Sequence, residues 1–251
     1  MTKVSTVIAG HISALPEVVL LPGLGNLRYI DQLVAKSSAW TKITVLDLPG
    51  WRGGRARSCP ATVEGIATAA AGWLEDNDKR DLILLGHSTG AQSALRVAVS
   101  LPDRLTGLVL ASPVCSPCAR SLVRALRQLL PTLKYESRGE LPTLASTFRA
   151  SGLRAMGRLV RSSLHDQPEV LAPQVRVPAV VITGAHDGLA TPEWSRSLAD
   201  LLHAPCLVHP GAHNGCFVHP VEVDQTFRQA VLSITGRRDA PELGVDDEPE
   251  S

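Results

Sequence analysis

The chain lacks an excess of either charge, any apolar run of membrane length, and any cysteine pattern that could build a framework. Its 251 residues carry 25 Lys or Arg against 24 Asp or Glu, a formal net charge of +1. Such near-neutrality points neither to nucleic acid nor to a membrane surface as partner. No stretch approaches the roughly 20 apolar residues that a spanning helix needs. Residues 4–15 are mildly apolar, but Ser5, Thr6, His11 and Ser13 interrupt them and only Lys3 precedes them, so no secretory signal is expected. The five cysteines, Cys59, Cys115, Cys118, Cys206 and Cys216, are odd in number and scattered, unlike a disulfide framework. Cys115-Ser116-Pro117-Cys118 is the one close pair, with no second Cys or His pair at ligand spacing nearby. These absences lead to the expectation of a cytoplasmic protein with no metal site and no cofactor.

What is present is ordinary for a soluble globular enzyme: 44% hydrophobic and 20% charged residues, in a chain long enough for one sizeable core. Continuous apolar runs at 18–21, 43–46, 82–85, 108–110, 180–182 and 206–208 read as buried strands. Between them lie segments of helical period, such as Ile66, Ala69, Ala70 and Trp73, then Leu198, Leu201 and Leu202, then residues 221–234. Continuous rather than alternating strands, separated by helices, predict an α/β fold: a mostly parallel central sheet with helices on both faces. Residues 1–17 are expected to add one or two short edge strands.

The alternation breaks between about 114 and 173, where helix-like pieces occur without a strand. Leu122, Ala125, Leu126 and Leu129 form one apolar face opposite Arg120, Arg124 and Arg127. Leu153, Met156 and Val160 repeat the design opposite Arg154, Arg158 and Arg161. The expected organisation is therefore a core of 1–113 and 174–236, an inserted helical cap at 114–173, and a disordered acidic tail at 237–251. The stretch 115–166 has a net charge of +6 and the tail one of −4. A solvated face accounts for the arginine rows; docking of an acidic carrier protein, or steering of an anionic substrate, is the sharper reading.

The most informative five residues are Gly86-His87-Ser88-Thr89-Gly90, between the strand-like 82–85 and a helix-like run at 91–100. A serine there sits on a sharp turn, and a β-carbon two residues to either side would collide. The turn lifts the hydroxyl clear of the sheet and brings the N–H of Thr89 beside it. A serine hydroxyl needs a base in reach, and the base needs a group to hold its tautomer. Asp187 lies just past the strand-like 180–182, and His213 follows the strand-like 206–208. In a parallel sheet the C-terminal ends of the strands share one edge, so Ser88, Asp187 and His213 are expected to meet there. His209 and His219 are alternative bases, Asp47 an alternative acid or a turn stabiliser, and His87 and His186 local or loop residues.

The order Ser, Asp, His, each after a strand, resembles the α/β-hydrolase superfamily over about residues 18–234. Asp47-Leu48-Pro49-Gly50 is similar to the family's Asp-x-Pro-Gly turn, and Pro220 after His213 to its usual ending. The cap falls where the family commonly inserts one. The resemblance implies an oxyanion hole from the N–H groups of Thr89 and Leu24, the latter in Leu21-Pro22-Gly23-Leu24-Gly25. Pro22 stands where the family commonly has histidine, and Trp51-Arg52-Gly53-Gly54 replaces a shorter ending after Pro-Gly. The elbow also resembles cofactor-free haloperoxidases and perhydrolases, which usually carry tryptophan where this chain has Leu24.

The function expected is a cofactor-independent serine hydrolase of a small-molecule ester or lactone. The alternatives are a thioesterase acting on carrier-bound acyl groups, a carbon–carbon bond hydrolase, and a non-catalytic ligand-binding protein on the same fold.

Overall fold

Seven strands and nine α-helices alternate along the residues described in the structure, a computed structural model covering 4–11, 13–25, 27–51, 57–132 and 152–237. The strands are β1 (Ser5–Ala9), β2 (Val18–Leu21), β3 (Ile43–Asp47), β4 (Leu82–His87), β5 (Leu105–Ala111), β6 (Ala179–Gly184) and β7 (Cys206–His209). They form one sheet in the order β1-β3-β2-β4-β5-β6-β7. Only β1 runs antiparallel, pairing Ser5 with Asp47 and Ala9 with Ile43; the other neighbours are parallel. β1 is the single edge strand that the first residues supply among those described.

The helices are α1 (Asp31–Ser37), α2 (Val63–Asp76), α3 (Thr89–Ser100), α4 (Leu122–Thr132), α5 (Leu153–His165), α6 (Pro168–Leu171), α7 (Pro192–Leu201), α8 (Gly215–Val218) and α9 (Pro220–Thr235). A right-handed crossover from β2 to β3 runs against those from β3 to β4 and β4 to β5, so α1 lies on one face and α2 and α3 on the other. α9 packs on α1, where Asp224 accepts from Ser37 Oγ at 2.6 Å and from Trp40 Nε1 at 3.1 Å. All four residues of β2, and Leu82, Ile83 and Leu84 of β4, are fully buried. Each such aliphatic side chain contributes about 1.5–3 kcal/mol by leaving water, and this covered centre carries the strand ends that hold the site.

Local signals fix several helix starts. Thr62 caps α2 by accepting from Gly65 N, and Thr191 caps α7 by accepting from Trp194 N, with Pro192 opening that helix. Gly236, at φ +64°, closes α9 in the left-handed region.

Between β5 and β6 the described residues hold α4, α5 and α6 and no strand. Residues 133–151 of the expected cap, residues 238–251 of the expected tail, Arg52, Gly53 and Gly54, and the side chain of Leu129 lie outside the described set. On α5 the buried stripe is Met156, Leu159 and Ser163, not the expected Leu153, Met156 and Val160. The reason is polar anchoring: Ser163 Oγ donates to Gln92 Oε1 at 2.6 Å, and Ser162 Oγ accepts from Val63 N at 3.0 Å. Leu153 is instead 75% exposed, and Leu122 and Leu126 on α4 are 57% and 52% exposed.

Candidate active site

β4 continues through Gly86 and His87 because its pairing with β5 extends to Leu110 and Ala111. The chain then reverses at Ser88, which adopts φ +57° and ψ −122°. A residue with a side chain pays about 1–3 kcal/mol for such backbone. Ser88 N–H donates to Ala111 O at 2.9 Å, and its own carbonyl accepts from Ala91 N at 3.0 Å, so the strained turn is held from both sides. The flanking glycines are required by space. A β-carbon on Gly86 would stand 2.5 Å from Gly90 O, and one on Gly90 would stand 2.2 Å from Leu21 O.

Asp187 follows β6, in a loop tied to the neighbouring loop by His186 N–H donating to Gly211 O at 2.8 Å. Its Oδ1 accepts from Leu189 N at 2.9 Å and Ala190 N at 2.8 Å, so the loop folds round the carboxylate. His213 follows β7, with Nδ1 2.9 Å from Asp187 Oδ2 and Nε2 2.9 Å from Ser88 Oγ. The carboxylate can only accept, so Nδ1 carries the proton and Nε2 presents its lone pair to the Ser88 hydroxyl. All three residues are buried, Asp187 at 2% and Ser88 and His213 at 8% exposed. Burial raises the Asp187 carboxyl, but His213 and donors from Ala190 and Ser112 outweigh it and hold the group below its ordinary value. It is therefore ionised at neutral pH.

The two residues expected to supply the oxyanion donors lie in the segments next to Ser88. Thr89 opens α3 immediately after Ser88, at the positive end of a 12-residue helix. Leu24 is half-buried, and Gly23 before it lies so close that a β-carbon there would be 2.8 Å from Ser88 Cβ. The alternative residues make other contacts. Asp47 Oδ1 accepts from Trp51 N at 2.7 Å, closing its turn. His209 is buried with its ring against Gly215, and His219 Nδ1 sits 4.0 Å from Glu222. His186 is exposed. Cys115 is buried with its thiol pushed up by that burial, Cys118 is exposed, and both are free thiols. Among the described residues no group of three or more His, Cys, Asp or Glu could hold a metal ion, and no described helix is long and apolar enough to cross a membrane.

A model of the family described as "Alpha/beta hydrolase family" matches residues 18–226. The chain belongs to the alpha/beta hydrolase family. The sheet order and the sharp turn at Ser88 agree with that membership. Among solved structures, the enol-lactonase from Burkholderia xenovorans LB400 is 22% identical, covering 93% of this chain and 96% of its own, at a TM-score of 0.72. A thermophilic esterase from Thermogutta terrifontis is 21% identical, covering 92% and 93%, at a TM-score of 0.71. A hydrolase from Oleispira antarctica is 14% identical, covering 92% and 95%, at a TM-score of 0.77. At these identities the likeness shows the fold. No curated protein sequence matches the chain.

Two residues at the alpha/beta hydrolase site stand out beyond the expected set. Tyr29 Oη accepts from Gly23 N at 2.6 Å and lies 3.2 Å from His87 Nδ1, while His87 Nε2 lies 3.3 Å from His213 O. The sequence marks His87 as a residue that bonds locally, and nothing in it marks Tyr29. Beside the imidazole of His213 is a cavity of about 30 Å³, also lined by His87, Ser112, His209 and Cys216. That volume has room for about two water molecules.

Proposed function

We propose that the protein is a cofactor-independent serine hydrolase that cleaves carboxylic esters or lactones through an acyl-enzyme. One observation carries the reading: His213 bridges Ser88 Oγ and Asp187 Oδ2, each at 2.9 Å. His213 Nε2 takes the hydroxyl proton as Ser88 Oγ bonds to the substrate carbonyl carbon. The C=O pair moves onto oxygen, where the N–H groups of Leu24 and Thr89 stabilise it. Collapse breaks the bond to the leaving oxygen, which takes the proton from His213. Water then adds to the acyl-enzyme, gives its proton to His213, and the acid departs as the proton returns to Ser88. Asp187, held ionised, orients the imidazole and stabilises its charged form. An enol-lactonase and an esterase among the structural neighbours, at 22% and 21% identity, favour carbonyl–oxygen bonds as the target. Five free thiols are in keeping with a reducing, cytoplasmic setting.

A fluorophosphonate probe is expected to label Ser88 in the folded protein. Ser88→Ala should lower turnover of every accepted ester by about 10⁴- to 10⁶-fold while the fold is retained. An undiminished rate in that variant overturns the mechanism.

A second reading is a thioesterase acting on groups borne by an acidic carrier protein. It is favoured by the outer surfaces of α4 and α5, where Arg124, Arg127, Arg154, Arg158 and Arg161 are exposed beside exposed Leu122, Leu126 and Leu153. Arg124→Glu with Arg127→Glu should then weaken activity on carrier-bound thioester about tenfold and leave a free thioester untouched. Equal loss on both removes this reading.

A further inference from the structure

Ser88 is flanked by two loops that approach it from opposite sides of the sheet's centre. One follows β2 and brings Gly23 and Leu24; the other follows β7 and brings His213. A chain of side chains joins them, and its direction is fixed by the chemistry of its members. Gly23 N–H can only donate, so Tyr29 Oη accepts it at 2.6 Å. The Tyr29 hydroxyl hydrogen is then free to be given to His87 Nδ1, 3.2 Å away. With Nδ1 accepting, a neutral His87 carries its proton on Nε2 and donates it to the carbonyl of His213 at 3.3 Å.

From this geometry we infer that Tyr29 and His87 act as one positioning unit, fixing the oxyanion loop and the base-bearing loop in mutual register around Ser88. The inference rests on the serine hydrolase reading above.

Each member is suited to its link. Burial, with the Cys216 thiol nearby, pushes the Tyr29 phenol well above its ordinary value, so its hydroxyl keeps the hydrogen it must donate. Burial, then the neighbouring His213, pushes His87 down to about 3, so the ring stays neutral with one acceptor and one donor. A charged His87 would have no lone pair for Tyr29 and would place a second cation beside the imidazolium formed in catalysis. The rings also lie in series, each pair tilted: Tyr29 and His87 centroids are 5.3 Å apart and His87 and His213 centroids 5.5 Å. Gly23 has no side chain to resist being drawn against Ser88, where a β-carbon would clash at 2.8 Å. Tyr29 thereby holds the peptide that precedes the Leu24 donor, and His87 holds the backbone of the base itself.

The test uses the full-length protein, a fluorophosphonate probe, and the variants Tyr29→Phe, His87→Leu, their double, and His87→Gln. Labelling of Ser88 is followed at several probe concentrations, giving a maximal rate and a half-saturating concentration, with circular dichroism and Tm recorded for each variant. Tyr29→Phe and His87→Leu should each lower the maximal rate about ten- to a hundredfold, the scale of a small misplacement of reacting groups. The half-saturating concentration should stay within about threefold, because the groups lost act on geometry and not on uniform binding. The double variant should be no slower than the worse single one, since both break the same chain. His87→Gln should recover much of the rate, because its carboxamide keeps one acceptor and one N–H donor at a spacing close to the imidazole's. Tyr29→Phe keeps the ring and the packing, so it reports even if His87→Leu does not fold. Wild-type labelling rates in folded Tyr29→Phe overturn the inference alone, as do multiplicative losses in the double variant. A wild-type protein that is not labelled at Ser88 removes the hydrolase reading and this inference with it.

Discussion

His87 should make the fold sensitive to mild acid in a way that can be subtracted out. An unfolded imidazole takes up its proton near pH 6.5, whereas His87 in the folded chain does so only near pH 3. Between those values the unfolded chain binds one proton more than the folded one, so stability falls as pH falls. The full slope is about 1.4 kcal/mol per pH unit, and the loss from pH 7 to pH 5 comes to about 2 kcal/mol. Above pH 6.5 the loss vanishes, and below about pH 3 it stops growing. Burial also lowers His209, which acts in the same direction, but it is unchanged in a His87 variant. Asp187 and Glu17, whose carboxyls are held below 3.8 and 4.5, cost stability only at lower pH, as each is forced to protonate. Urea unfolding followed by tryptophan fluorescence at pH 7 and pH 5 should show the wild type losing about 2 kcal/mol more than His87→Gln. Parallel losses in the two proteins would refute a buried, neutral His87.

The strain at Ser88 gives a second expectation: Ser88→Gly should be inactive yet about 1 kcal/mol more stable than Ser88→Ala, since only glycine relaxes at φ +57°. Part of the strain relief is offset by the greater freedom of the unfolded glycine; a Ser88→Ala variant at least as stable would count against strain at the elbow. Gly90→Ala, whose β-carbon would meet Leu21 O at 2.2 Å, should cost about 1–3 kcal/mol or more by thermal unfolding and also depress activity. A neutral effect there would show that the loop after β2 can retreat from the elbow.

Much of the candidate site was legible because its chemistry restricts both residue type and place. Ser88, Asp187 and His213 each follow a strand, and the strands are long enough in apolar residues to be found without a structure. Boundaries were less legible. β4 runs two residues past its apolar stretch because Gly86 and His87 still have partners on β5, and nothing in their side chains announces that. The outer helices were harder again. An amphipathic stripe shows that a face can be buried, not that it is, and α4 exposes Leu122 and Leu126 while α5 buries Met156 and Leu159. The Tyr29–His87 contact joins residues 58 apart in sequence. It depends on where the loop after β2 turns back, a path set by tertiary packing and not by any local pattern.

Strand order explains why these loops meet at all. From β2 the chain crosses to β3 on one side, and it returns to β4 on the other. The loops leaving β2 and β4 therefore diverge and open a crevice at the carboxyl ends of the two strands, the switch point where parallel sheets hold their ligands. A crevice alone does not bring the loop after β2 against the serine. Two glycines permit the approach: Gly90 lets α3 come up against Leu21 O and Pro22 O, and Gly23 lets its loop lie on Ser88 Cβ. Once the backbones are that close, the Gly23 N–H must find an acceptor away from water, and Tyr29 Oη provides it. The topology thus creates the opening, the glycines let the two loops close on Ser88, and the hydrogen bonds through Tyr29 and His87 tie the loops to each other.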